Sequence, residues 1–162
     1  MVQKKYNRQI FDEGTEDAIL RLSHMRSNVL SPVGISAADR VLILEPDSEA
    51  LVEWLQEQAG EVVVATMDSM ASVDGSFNVI ISVGKLTETP SALKRLLSTD
   101  GRLVYALPEK DRIADFTKSL LKEAGFETID TFRVSPDYLF TTEIYAEDYI
   151  GGGAGDYLLI AK

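Results

Sequence analysis

Short apolar runs alternate with amphipathic stretches along most of this chain. Three apolar runs predict strands: RVLIL (40–44), EVVVAT (61–66) and FNVIISV (77–83). The first of them is typical of a strand buried on both faces of a sheet. Three more strands are predicted, one ending at Leu107 and two at 126–134 and 156–162. Strands that alternate with helices predict a mainly parallel α/β sheet with helices on both faces. The last two strands have no helix between them, which predicts an antiparallel C-terminal edge.

Helical periodicity fills the gaps between these strands. Helices are predicted at 16–29, 46–59, 90–97 and 111–124. The clearest pattern lies at 111–124 and predicts a buried face made of Ile113, Phe116, Leu120 and Leu121. Residues 1–14 are polar without a clear period, which predicts a tail or arm. The chain is therefore read as a single domain: this tail, an N-terminal helix and connector at 15–38, and an α/β core at 40–162.

Composition narrows the classes of function. The 162 residues include no cysteine, which excludes disulfides and thiolate chemistry and is typical of a reducing cytoplasm. The formal net charge of −10 repels phosphate backbones and anionic lipid, so neither nucleic acid nor a membrane surface is an expected partner. The first residues lack the apolar core of a signal peptide. We therefore expect a cytoplasmic protein without membrane insertion.

The turn after the first strand carries acids at alternate positions: Glu45, Asp47 and Glu49. Open α/β sheets bind ligands at the carboxyl ends of their strands, and glycines there let the backbone approach the ligand. Acids stabilise a helix N-terminus, so Asp47 and Glu49 can equally be capping residues. A metal site built from the three acids is a third, weaker interpretation, and we expect no metal.

Other candidate positions carry weaker signals. Thr66 ends the second strand, where nucleotide sites place a ribose-binding acid, and Asp68 follows it. Ser82 and Lys85 end the third strand, but no general base stands beside them. His24 is the only histidine and lies far in sequence from a nucleophile. We therefore predict no catalytic residue.

A segment rich in tyrosine and acids precedes the last strand. PDYLFTTEIYAEDY (136–149) offers candidate ligand or partner residues at Asp137, Tyr138, Glu143, Tyr145 and Tyr149. Exposed aromatics beside carboxylates suit a sugar or a protein partner, and they equally suit a loop that folds over the sheet edge. The GGGAG run that follows lacks the lysine and helix of a phosphate-binding loop, and it is read as a flexible connection.

From Leu22 to the C-terminus the chain resembles the class I S-adenosylmethionine (SAM)-dependent methyltransferases. The resemblance is carried by SFNVIISVGKL, SALKRLLSTDGRLVYALPE and LLKEAGFETI, which are similar to the family's fourth strand, the approach to its fifth, and its last helix. The segments LSHMRSNVL and SPDYLFTTEIYAEDYI further resemble methyltransferase domains of bacterial surface-polysaccharide biosynthesis proteins. The implied fold is a Rossmann-like methyltransferase three-layer sandwich.

The departures from the family concentrate on its cofactor site. The acid of the family's first strand falls on Ile43, and its G-x-G-x-G glycines fall on Glu45, Asp47 and Glu49. The ribose acid falls on Thr66, and the aspartate of the fourth strand on Asn78. Residues 67–76 are too few for the helix and strand that normally follow the second strand. The sheet is therefore expected to be reduced by one strand.

The resemblance with these departures implies a degenerate member that has lost SAM binding. Its expected role is that of an interaction or architectural module, with another polysaccharide-biosynthesis protein as partner. The alternative is an active methyltransferase that acts on a sugar or small-molecule acceptor through a remodelled SAM site. A sugar-binding module that uses Tyr138, Tyr145 and Tyr149 is a third possibility. The sequence leaves the oligomeric state open.

Overall fold

Seven strands form one mixed sheet in the computed structural model, which describes residues 2–86, 88–147 and 155–162. They are β1 (Arg40–Leu44), β2 (Glu61–Ala65), β3 (Phe77–Val83), β4 (Leu97–Leu107), β5 (Ile129–Ser135), β6 (Glu143–Ala146) and β7 (Asp156–Ala161). Their order across the sheet is β2-β1-β3-β4-β7-β5-β6. The α/β Rossmann-like sandwich predicted from the sequence is confirmed.

The parallel half of the sheet comprises β2, β1, β3 and β4. Residues 41–44 of β1 are almost fully buried, because β1 lies between two strands and carries a helical layer on each face. Val41 and Ile43 pack into one core cluster, and Leu42 and Leu44 pack into the other. This two-sided burial explains why β1 is a continuous apolar run in the sequence.

The other half of the sheet is antiparallel. β7 lies between β4 and β5 and runs against both, as the sequence led us to expect for the last two predicted strands. One strand was not predicted: β6 pairs with β5 and forms the outer edge. Its sequence EIYA has only four residues, and the first and last are exposed, so no periodicity identified it.

At the opposite edge the sheet ends with β2. The connection from β2 to β3 is described throughout and contains a short 3₁₀ turn, Met70–Ser72, and no strand. The predicted reduction at this edge is therefore present, and β6 brings the total to seven. The free side of β2 faces away from the rest of the sheet.

Helical layers cover both faces. The α-helices are α1 (Val2–Glu13), α2 (Glu16–Leu22), α3 (Glu49–Gln58), α4 (Pro90–Lys94) and α5 (Ile113–Glu123). A long 3₁₀ segment, His24–Val33, packs with α3 on one face, whereas α4 and α5 pack on the other. No helix among the described residues is long and apolar enough to cross a bilayer.

The N-terminal region differs from the sequence prediction. Residues 2–13 form α1 where a polar tail or arm was expected, because Tyr6 and Ile10 provide just enough apolar surface to dock on Ala18, Leu22 and Ala50. The predicted helix at 16–29 ends at Leu22, where Ser23 becomes extended and caps the 3₁₀ segment instead. Sparse apolar positions in a polar helix leave no visible period, so the sequence concealed this docking.

The fifth helix also differs in its buried face. It begins at Ile113, after Asp111 and Arg112 adopt positive φ, and it buries Ala114, Thr117 and Leu121. The prediction that Phe116 faces the core was wrong, because this side chain is 58% exposed. Thr117 takes a buried position instead, since its hydroxyl donates to the carbonyl of Ile113 at 2.7 Å.

Candidate functional site

The carboxyl ends of the parallel strands define one edge of the sheet, called here the carboxyl edge. The first four strands are mutually parallel, so they all end there. Strand pairing directions show that β5 also ends there and that β6 and β7 begin there. This is the edge at which open α/β sheets bind their ligands. Most of the candidate residues from the sequence lie along it.

Glu45 bridges the ends of β1 and β2. Its φ of 44° is left-handed, a conformation uncommon for residues other than glycine. Its backbone N–H donates to the carbonyl of Ala65 at 2.8 Å, and its carboxylate accepts a hydrogen bond from the backbone N–H of Met67. The Glu45 side chain therefore lies across the gap between the two strand ends.

Asp47 pairs with a buried arginine. Arg26, from the 3₁₀ segment, is 1% exposed, and its Nη2 lies 2.7 Å from the Asp47 carboxylate. Its Nη1 donates to the carbonyl of Leu20, and its Nε has no hydrogen-bond partner. The Asp47 side chain is itself 60% exposed. Its carboxylate neutralises the charge of the Arg26 guanidinium, which is buried away from water.

The cap of α3 is Ser48, which lies between the two acids proposed as capping residues. Its Oγ accepts from the N–H of Leu51 at 3.1 Å and donates to the carbonyl of Arg21 at 2.8 Å. Glu49 lies in the first turn of the helix and pairs with Arg21 at 2.6 Å. The alternate acids therefore make three different contacts, and they do not converge on one point.

The end of β2 is closed by a local turn. The N–H of Thr66 donates to the Oγ of Ser69 at 2.8 Å, and the N–H of Ser69 donates to the Oγ1 of Thr66 at 3.3 Å. Thr66 and Asp68 are both exposed. The Thr66 hydroxyl is thus bonded within its own turn.

At the end of β3, Gly84 lies against the aromatic ring of Tyr138. Its φ is +83°, and a Cβ placed on it would lie 2.8 Å from the Oη of Tyr138. Only a residue without a side chain allows this approach. Ser82 is buried and donates to the carbonyl of Lys85 at 2.6 Å, so its hydroxyl serves the turn.

Tyr138 belongs to residues 136–142, called here the edge segment, which folds along the carboxyl edge. The carboxylate of Asp156 accepts from the N–H of Tyr138 at 2.9 Å and from the N–H of Glu109 at 2.8 Å. Asn28 donates its side-chain amide to the carbonyl of Thr141 at 2.9 Å. These contacts tie the edge segment to β4, β7 and the 3₁₀ segment.

Burial and charge act together on Tyr138. Its partial burial raises the pKa of its hydroxyl, and the Asp47 carboxylate raises it further, whereas Arg26 lowers it. Tyr138 therefore lies within the field of the Arg26–Asp47 pair. The end of β1, the end of β3 and the edge segment meet at these three side chains.

The remaining candidates are spread out. Asp137 accepts from the N–H groups of Leu139 and Phe140 and so shapes the edge segment itself. Glu143 is exposed at the start of β6, and Tyr145 lies farther along that strand opposite Arg133. Tyr149 lies outside the described residues. His24 is exposed on the 3₁₀ segment, and no cluster of metal ligands occurs within the part of the chain that the structure describes.

Sequence reasoning missed Arg26, Asn28 and Asp156. Each stands in a stretch where a polar residue reads as an ordinary surface position. Only the burial of Arg26 and the bonds of Asn28 and Asp156 to distant backbone groups identify them. No spacing pattern in the sequence carries that information.

Two cavities lined by described residues lie away from the Glu45 turn. A cavity of 520 Å³ lies at the opposite edge of the sheet, where the parallel strands begin, and its lining includes Gly34, Gly101, Arg102, Asp130 and Lys162. A second cavity, of 430 Å³, lies between the Met70–Ser72 turn and α4. Neither cavity is lined by Glu45, Asp47 or Tyr138.

Comparison with known proteins shows the fold. Neither the protein-family models nor the curated proteins give a match to the sequence. Among solved structures, the chain is similar to the precorrin-6Y C5,15-methyltransferase of Geobacter metallireducens, with a TM-score of 0.56, 10% identity, and coverage of 85% of this chain and 86% of that one. A SAM-dependent methyltransferase of Thermotoga maritima gives 0.51, 16% identity and 97% of both chains.

A third similar structure contains a bound cofactor product. It is the phosphoethanolamine N-methyltransferase 2 of Haemonchus contortus in complex with S-adenosylhomocysteine, with a TM-score of 0.51, 13% identity, and coverage of 85% of this chain and 37% of that one. At these identities the likeness concerns the fold. The chain has the Rossmann-like fold of the class I SAM-dependent methyltransferases.

Proposed function

We propose that this domain keeps the methyltransferase fold without binding SAM and serves as an interaction or architectural module in cytoplasmic polysaccharide biosynthesis. The observation that carries the proposal is Glu45. Its carboxylate reaches from the end of β1 to the N–H of Met67 after β2, so the side chain fills the space between the two strand ends. A cofactor that approached the backbone there would have to displace it.

The residues around Glu45 fit SAM poorly. Asp47 is held by buried Arg26, and the ring of Tyr138 covers Gly84 at the end of β3. At the end of β2, where ribose hydroxyls normally meet an acid, Thr66 bonds with Ser69. Binding SAM would require these contacts to break together, including one that neutralises a buried charge.

The link to polysaccharide biosynthesis rests on two segments. LSHMRSNVL (22–30) and SPDYLFTTEIYAEDYI (135–150) carry the resemblance to methyltransferase domains of surface-polysaccharide proteins. These segments contact each other through Asn28 and Thr141. We propose that the surface they build at the carboxyl edge receives another protein of the same biosynthetic system.

The decisive experiment measures cofactor binding directly. Isothermal titration calorimetry and thermal shift with SAM and with S-adenosylhomocysteine are expected to show no binding up to about 1 mM. An affinity near 1 µM, about −8 kcal/mol, would contradict the proposal. A methyltransferase with an intact cofactor site, measured alongside, shows that the assay detects binding.

The alternative is an active methyltransferase that acts on a sugar or small acceptor. Its support is the fold, which the chain shares with methyltransferases such as the one in complex with S-adenosylhomocysteine. In that case Glu45, whose carboxylate accepts from the N–H of Met67 after β2, is a candidate acid for ribose hydroxyls and has to release Met67. A Glu45→Gln substitution distinguishes the two. Under the alternative it should weaken SAM binding, whereas under the main proposal neither the wild type nor the variant should bind SAM.

A sugar-binding role is tested in the same instrument. Tyr138 is half-buried against Gly84 and Tyr145 lies on β6, so the two rings are held by different parts of the fold. A rise in melting temperature with oligosaccharides that is lost in Tyr145→Ala would favour the sugar module over the protein-partner role.

A further inference from the structure

The outer side of β2 is an exposed strand edge. Glu61 and Ala65 direct their backbone groups toward β1, because the N–H of Glu61 donates to Asp39 and the carbonyl of Ala65 accepts from Glu45. Alternation along a strand therefore directs the N–H and C=O groups of Val62 and Val64 outward. No described strand lies on that side. Such an edge is a template for pairing with another strand.

We infer that β2 pairs antiparallel with β2 of a second copy of this chain, so that two sheets join into one. The flanking backbone groups determine the register. The N–H of Gly60 already donates to Asp39, and the N–H and C=O of Thr66 are bonded to Ser69. The outward groups of Val62 and Val64 remain. A two-fold axis beside Val63 pairs Val62 of each copy with Val64 of the other and engages all of these groups.

Charge favours this edge as the contact between two copies. Each chain carries −10, so most surfaces of two copies repel each other. Within β2 the one charged residue is Glu61, and Arg40 already pairs with it at 2.8 Å. In the proposed register Glu61 stands opposite Ala65. Within β2, therefore, no like charges are placed directly across from each other.

The apolar side chains at this edge support the same conclusion. Val64 is 44% exposed and Met67 is 56% exposed. Edge strands are usually protected by lysine, proline or a bulge, and the sequence EVVVAT carries none of these. Pairing covers both the polar backbone groups and the valines. The inference rests on this edge alone and is independent of whether SAM binds.

Proline at position 64 tests the inference without touching the β1–β2 hydrogen bonds. The Val64 N–H points outward, so Val64→Pro removes a donor used only between copies, and proline is tolerated on strand edges of this kind. Sedimentation velocity should show a concentration-dependent monomer–dimer equilibrium for the wild type. Val64→Pro should weaken it by at least about ten-fold, whereas Val64→Thr, which keeps the donor, should retain it.

Circular dichroism verifies the folding of each variant, and Val64→Lys replaces the proline variant if the latter unfolds. Hydrogen exchange should slow at the amides of Val62 and Val64 as concentration rises, and not at Val63. A wild type that stays monomeric up to about 1 mM overturns the inference. So does a dimer that Val64→Pro and Val64→Lys leave intact, or an edge that is protected only by a different protein.

Discussion

The two ends of the parallel strands, the carboxyl edge and the edge where these strands begin, have opposite properties. At the carboxyl edge, Glu45, Asp47 and Tyr138 lie over the strand ends and are bonded or packed against other parts of the chain. At the opposite edge, where the parallel strands begin, a cavity of 520 Å³ remains open. In an open α/β sheet the carboxyl edge is the one that normally receives a ligand. Here that edge contributes to the stability of the domain itself.

The residues that build the fold and the residues at the strand ends depend on different interactions. The strands and helices depend on two-sided apolar burial, which the acids in the turn after β1 leave untouched. Ligand binding at the strand ends requires small residues that leave room for the ligand, whereas this chain has Glu45 and Asp47 in the turn after β1. Stability tests can therefore separate the two edges.

The largest effect is expected at Asp47. Asp47→Ala leaves the guanidinium of Arg26 buried without a counter-charge and should lower the free energy of unfolding by about 3 kcal/mol. Glu49→Ala removes the neighbouring acid, whose pair with Arg21 is exposed, and should cost less than about 1 kcal/mol. Urea denaturation measures both.

The double variant Arg26→Met/Asp47→Ala tests the cause. It should recover most of the loss, since no buried charge remains. Equal costs for Asp47→Ala and Glu49→Ala would show that the guanidinium of Arg26 is solvated in the folded protein.

The next effect is expected at Gly84. Gly84→Ala places a methyl group against the Oη of Tyr138 at a φ of +83° and should cost about 2 kcal/mol. In a Tyr138→Ala background the backbone strain of about 1 kcal/mol should remain, while the clash disappears. Chemical denaturation of the wild type, the two single variants and the double variant gives the coupling free energy between positions 84 and 138. Strict additivity would mean that the ring does not rest on the strand end.

A smaller effect is expected in the alkaline pH range. Burial, reinforced by Asp47, raises the pKa of Tyr138, so the folded state holds the phenolic proton more tightly than the unfolded chain. This contribution is fully present below the ordinary tyrosine pKa of about 10 and is lost as the pH rises through the raised value.

Comparison with Tyr138→Phe isolates that contribution. The stability of the wild type relative to Tyr138→Phe should fall as the pH rises above about 10. Burial also raises the pKa of Tyr105, but that residue is present in both proteins and its effect cancels. Parallel stability–pH curves would place the Tyr138 hydroxyl in water.

The smallest effect is expected at the edge where the parallel strands begin. Thr99 is exposed and lines the 520 Å³ cavity, so Thr99→Tyr adds a ring to open space. The free energy of unfolding should change by no more than about 0.5 kcal/mol. Thr99→Tyr adds more atoms than Gly84→Ala but should lower the free energy of unfolding less. The difference between the two costs measures how much more tightly the carboxyl edge is packed. A loss above about 2 kcal/mol would show that this cavity is tightly packed.

The sequence predicted the fold more completely than the site. Apolar runs identified β1, β2, β3, β5 and β7. All of these except β2 have a strand on each side, and β2 keeps its apolar run although it lies at the end of the sheet. The short connection at 67–76 correctly predicted that no strand of the described residues lies outside β2. The helix of residues 2–13, the strand β6 and the exposure of Phe116 escaped prediction, because each depends on which neighbour the element meets.

For the candidate site, the sequence alone determined which side chains stand at the strand ends: acids at 45, 47 and 49, threonine at 66 and glycine at 84. These identities follow from the order of residues along strands whose ends the apolar pattern locates. Only the tertiary structure decided their partners. Arg26, Met67 and Tyr138 lie 21, 22 and 54 positions from the residues they meet. Contacts over such separations arise from packing, and no local pattern encodes them.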